Sequence, residues 1–138
     1  MKKETKSTRK VKTPFDYKSI KTINDAFKKQ KLERPKLKDL PAIIPPRFRA
    51  AWLAVYELFV IFEAINDGWK ADFTNRSQWK YYPWGQVNSA GSGFVFSDSY
   101  YYCGYTFTDV GSRLCTDSSE KALYIFKQFN EQYKKFFL

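Results

Sequence analysis

Two stretches of this chain place apolar residues at three- and four-residue spacing, and each predicts a long helix. After Pro46, the residues Trp52, Val55, Tyr56, Phe59 and Phe62 form one stripe, and Leu53, Leu58, Ile61 and Ile65 widen it over most of the circumference. A helix over 47–66 with that pattern belongs at the centre of its domain, with Trp52, Phe59 and Phe62 buried. Asn66-Asp67-Gly68 ends it, glycine being free to take the left-handed conformation. The second stretch starts at Asp117 and Glu120, which have capping-box spacing, and carries Ala122, Ile125, Phe126, Phe129, Tyr133 and Phe136 on one face. It predicts a single helix over 118–136. A shorter helix from Ile23 to Lys31 follows the capping-box spacing of Thr22 and Asp25, with Ile23, Ala26 and Phe27 on its apolar side.

Elsewhere the helical period disappears. Pro35, Pro41, Pro45 and Pro46 exclude regular helix and predict an extended strap pinned by Leu37, Leu40, Ile43 and Ile44. Phe94 to Phe96, Tyr100 to Phe107 and Ser112 to Cys115 are short runs of β-formers separated by Ser97-Asp98-Ser99 and Asp109-Val110-Gly111. They predict a three-stranded antiparallel meander. The fold class read from these patterns is α+β, a short antiparallel β-meander packed against two main α-helices. A basic disordered N-terminal arm (1–13) precedes one domain (14–138), in which a helix and proline-rich strap (14–46) lead into an aromatic-rich body (47–138).

A length of 138 residues with 43% hydrophobic and 20% aromatic content suits one core. Charge divides the chain unevenly. Of the 24 Lys and Arg, 16 lie in residues 1–49 with 5 of the 14 acids, whereas residues 50–138 hold 8 and 9. Rings run the other way, with only Phe15, Tyr17, Phe27 and Phe48 before position 50. Lys2, Lys3, Lys6, Arg9, Lys10 and Lys12 therefore form an arm suited to polyanions, or a solubilising tail. The longest apolar stretch, Ala50 to Ile65, is shorter than a bilayer span and carries Glu57 and Glu63, so no membrane partner is expected. Two cysteines and no apolar leader suggest a reducing cytoplasm.

Enzyme chemistry has little support. Without histidine, neither a Ser-His-Asp nor a Cys-His site can form, and Cys103 with Cys115 leaves a zinc site incomplete unless carboxylates or a second chain contribute. Ser89-Ala90-Gly91-Ser92-Gly93 lacks the lysine and hydroxyl of a phosphate-binding loop, and Asp67, Asp72, Asp98, Asp109 and Asp117 suit turns and caps. No cofactor or metal is expected. The ring-rich segment from Trp79 to Phe107 either fills a core or offers platforms. If helices cover one face of the sheet, Tyr100, Tyr101, Tyr102 and Tyr105 include exposed rings, with Arg76, Lys80 and Arg113 near in sequence to contact phosphate. Arg113, entering after a glycine turn, presents a planar fork to phosphate or carboxylate, or pairs with a nearby Asp.

The ordered series Asn66-Asp67-Gly68-Trp69-Lys70, Lys80-Tyr81-Tyr82-Pro83-Trp84, Ser89 to Phe96, Val110-Gly111-Ser112-Arg113-Leu114-Cys115 and Lys127-Gln128-Phe129 resembles a family of small proteins found in phages and prophages of Bacteroidetes. The resemblance covers roughly 17–138, with Gly85 standing where that family has an aromatic residue. It implies a phage context, hence the cytoplasm of a host cell or association with a virion, and supplies no catalytic residues. The expectation is a non-enzymatic phage accessory protein binding nucleic acid, single-stranded before duplex. The alternative is a protein-binding module, either a virion component or an inhibitor of a host defence or housekeeping protein.

Overall fold

The computed structural model describes residues 13–88, 93–102 and 112–138. The arm through Lys12 and Tyr105 lie outside them. Four helices, α1 (Ile23–Lys29), α2 (Pro46–Asn66), α3 (Ser119–Gln128) and α4 (Asn130–Phe137), accompany two strands, β1 (Lys80–Asn88) and β2 (Gly93–Tyr102). The class is mixed, mainly helical with little β.

The central helix forms where its pattern places it. Pro46 occupies the first helical position, where its missing N–H costs nothing, and the carbonyl of Pro45 accepts from Phe48 N at 2.9 Å. α1 and α4 pack on α2, and α3 lies between α4 and the two strands. Leu58, Ile61, Phe62 and Ile65 of α2 are wholly buried against Phe27, Ile125 and Phe126. Each such side chain contributes roughly 1.5–3 kcal/mol. The expectation that Trp52 and Phe59 are buried fails, for Trp52 is 58% exposed and Phe59 half-buried. Three short neighbouring helices cover one side of α2, and a stripe that runs most of the way round it must leave rings in water.

α2 ends through two left-handed residues. Asp67 adopts φ 49° and ψ 46°, and Gly68 follows at φ 95°. Aspartate tolerates this region better than most side chains. α1 has the expected capping box, with Thr22 Oγ1 accepting from Asp25 N at 3.1 Å and Asp25 Oδ2 accepting from Thr22 N at 2.8 Å. Hydrogen bonds from Thr22 first, and from Lys21 N, hold the Asp25 carboxyl below its ordinary range.

The expected helix over 118–136 is two helices. Ser118, rather than Asp117, caps α3, its hydroxyl accepting from Lys121 N at 3.3 Å. At Phe129 the backbone leaves the helical region (φ −120°, ψ 31°), and α4 starts in a new direction. The break turns Gln132 and Tyr133 into the interior while Phe129 itself stays buried.

Among the described residues the expected three-stranded meander is a two-stranded antiparallel ribbon, and the expected strand over Tyr100 to Phe107 lies outside them beyond Tyr102. β1 contains Trp84 and Pro83, a segment whose proline argues against a strand. Tyr81 faces Thr116 across an isolated bridge on the edge away from β2, with N–H···O distances of 3.0 and 2.8 Å. Backbone groups two residues apart point the same way, so the missing N–H of Pro83 falls on that outer edge. Ser97-Asp98-Ser99 is not a turn but part of β2, where a bulge between Trp84 and Gly85 leaves Ser97 unpaired. Ser112–Leu114, expected as a third strand, is a single 3-10 turn.

The strap is held differently from expectation. Ile44 is buried, but Leu37 and Ile43 face solvent. The anchor is Arg34, whose Nε and Nη2 donate to Glu57 Oε1 on α2 at 2.9 and 2.8 Å.

Candidate nucleic-acid interface

Phe48, Trp52 and Tyr56 succeed one another at four-residue intervals on α2 and are 48%, 58% and 38% exposed. At 3.6 residues per turn they share an arc of about 80°, with successive rings about 6 Å apart along the axis. That spacing is close to twice the roughly 3.4 Å rise of stacked bases, so a flat group fits between neighbours. The flanking elements fix the stripe. The Arg47 guanidinium lies 4.6 Å over the Phe48 ring, and the Phe27 ring of α1 meets Tyr56 edge-on at 5.7 Å.

The charge of the chain leading into this stripe is one-sided. Residues 31–49 carry six cations against Glu33 and Asp39. Arg34 is committed to Glu57, and Arg49 Nε donates to Ile44 O at 2.9 Å. Lys31, Lys36, Lys38 and Arg47 are exposed and have no carboxylate partner among the described residues. Exposed rings beside unpaired cations stack flat groups and neutralise phosphates at once.

Of the residues singled out from sequence, Arg76, Lys80 and Arg113 have described side chains, the first two on or beside the 70–79 loop and the third on a 3-10 turn. Lys80 cannot contact a ligand, because it is only 1% exposed. Its Nζ donates to Gln78 O at 2.7 Å and Asn75 O at 3.1 Å and lies 5.4 Å from the Phe73 ring, closing the 70–79 loop from inside. A lysine among aromatics reads as a phosphate contact in sequence, and only the loop's unsatisfied carbonyls explain why it is drawn inward. Arg76 is exposed on that same loop. Within the loop, Thr74 donates to Asp72 through its hydroxyl at 2.6 Å and its N–H at 2.9 Å, which lowers the Asp72 pKa.

Tyr100, Tyr101 and Tyr102 lie on β2, paired with Tyr82, Tyr81 and Lys80. Tyr105 and the arm residues Lys2, Lys3, Lys6, Arg9, Lys10 and Lys12 fall outside the described residues. Arg113 is exposed, and its guanidinium sits 5.9 Å over the Phe59 ring. The alternative of an ion pair to Asp does not occur for it among the described residues.

The face at Phe48, Trp52 and Tyr56 escapes a sequence reading because its spacing is that of a core stripe. The available signal was the run of cations leading into it. Cys115 is buried rather than reactive, and burial raises its thiol pKa to about 11. No helix of the described residues is long and apolar enough to cross a membrane. No family model, curated protein or solved structure matched the chain.

Proposed function

We propose that this chain is a non-enzymatic phage accessory protein that binds nucleic acid, single strands in preference to duplex, through the exposed stripe of α2 and the basic arm. One observation carries the reading: Phe48, Trp52 and Tyr56 are exposed on one helix with Arg47 over the first ring, and the strap leading into that helix carries Lys36 and Lys38 without carboxylate partners among the described residues. Rings accept bases without regard to sequence, and the cations release counterions from phosphate. Relative to the reading from sequence, the platform moves from the tyrosines of the ribbon to a helix.

Fluorescent single-stranded DNA and RNA titrated into the protein at low salt test this. Trp52→Ala is expected to weaken single-strand binding by about 1–3 kcal/mol, the usual value of one stacked base, and to leave duplex binding nearly unchanged. Since Trp52 is mostly exposed, the variant keeps its fold, and a folded wild type that binds no oligonucleotide refutes the proposal.

A second reading, a protein-binding module of the virion or against a host protein, rests on Ile43. That side chain is 88% exposed, and an aliphatic group gives bases nothing to stack on. Under this reading Ile43→Asp removes a protein partner from a pull-down that survives nuclease, and Trp52→Ala leaves oligonucleotides unaffected.

A further inference from the structure

Beyond the last turn of α2 lies a cleft of about 700 Å³, within the range of small-molecule sites. The left-handed pair at Asp67 and Gly68 reverses the chain, and Trp69 N donates to Asn66 O at 3.0 Å. Trp69 and Lys70 are thereby brought beside the helix end. The 3-10 turn at Ser112–Leu114 supplies Arg113 from a second side, and Lys29 of α1 pairs with Asp67 at 2.5 Å on a third.

With Lys29 and Asp67 neutralising each other, three charges lining the cleft have no ion-pair partner among the described residues: Arg113, Lys70 and Glu63. The Arg113 guanidinium lies 5.9 Å from the Phe59 ring, and without a carboxylate among the described residues its fork of donors is left for an anion. Trp69 adds a second flat wall. Asn66, also lining the cleft, is nine-tenths buried, and its Nδ2 donates to Cys115 O at 2.8 Å. Its Oδ1 is buried and has no hydrogen-bond donor among the described residues.

We propose that this cleft is a separate site for a nucleoside monophosphate, with phosphate on Arg113 and Lys70, the base against Trp69, and base N–H groups donating to the Glu63 carboxylate. Guanine fits this acceptor best, because its N1–H and N2 amino group lie side by side and meet a carboxylate together. The proposal is independent of strand binding on the exposed stripe, since the cleft shares none of Phe48, Trp52 or Tyr56.

Calorimetric titration with GMP, CMP and inorganic phosphate tests it on the full chain. GMP is expected to bind more tightly than CMP or phosphate, and Arg113→Gln to weaken GMP at least tenfold. Arg113 is exposed, so the variant folds. Trp52→Ala is expected to leave GMP affinity unchanged, which separates this site from the stripe. Absence of GMP binding to the folded wild type overturns the proposal. So does phosphate binding as tightly as GMP, or unaltered GMP affinity in Arg113→Gln.

Discussion

Tyr133 is 4% exposed, with its ring 4.9 Å from that of Phe126 and stacked at 6.2 Å on Phe137, while its hydroxyl has no hydrogen-bond partner among the described residues. Burial pushes its pKa well above the ordinary tyrosine value. A buried hydroxyl without a partner costs about 1–3 kcal/mol, so Tyr133→Phe is expected to stabilise the protein and raise its melting temperature. A lowered melting temperature would place an acceptor on that hydroxyl. Cys115 gives a second test at this scale. Desolvation raises its pKa from 9.0 to about 11, with Lys80 opposing the shift weakly. A thiol with a raised folded pKa contributes stability that is complete below 9.0 and is lost as pH rises to about 11. At pH 8 the peptide containing Cys115 is expected to resist alkylation in the native protein and to react in denaturant, as read by mass spectrometry. Native-state labelling would show that the thiol is accessible.

Among the elements, α2 divides into a buried and an exposed side, and the two sides answer mutation differently. Phe62→Ala removes a wholly buried ring and is expected to cost about 3–5 kcal/mol, whereas Phe59→Ala, from a half-buried ring, costs less. Chemical denaturation of both variants checks the order, and equal losses would put Phe59 in the core. Arg34→Ala leaves the buried Glu57 carboxylate without its cation and is expected to destabilise by up to about 3 kcal/mol, the low end of such losses because Arg34 itself is partly exposed. The α1 capping box and the run of α2 were legible because each rests on neighbouring residues alone. The side of α2 that meets water was not, since burial depends on which helices pack beside it. The break at Phe129 carries no glycine or proline to announce it, and it arises from the docking of α4 on α2. β1 was hidden by Pro83, whose position on an outer edge is a fact of pairing rather than of sequence. Lys80 misled for the same reason, its hydrogen-bond acceptors being carbonyls of a loop that exists only once folded.

At the scale of the whole molecule, positive charge is concentrated in the arm and in the strap that leads into α2. The arm brings Lys2, Lys3, Lys6, Arg9, Lys10 and Lys12, and the strap and start of α2 bring Lys31, Lys36, Lys38 and Arg47, none of these four with a carboxylate partner among the described residues. For single strands the slope of log affinity against log salt is about −0.7 per phosphate neutralised, so ten engaged cations give at most about −7 and the four without the arm about −3. Deleting residues 1–13 is therefore expected to flatten the slope by up to about 4 without altering the ring contribution. Trp52→Ala is expected to do the reverse, weakening binding equally at every salt concentration. A double-mutant cycle at several salt concentrations separates the two effects, because ring and arm are independent only if their losses add. An unchanged slope on deletion removes the arm from the mechanism, and a slope that changes with Trp52→Ala shows that the ring acts by positioning cations rather than by stacking.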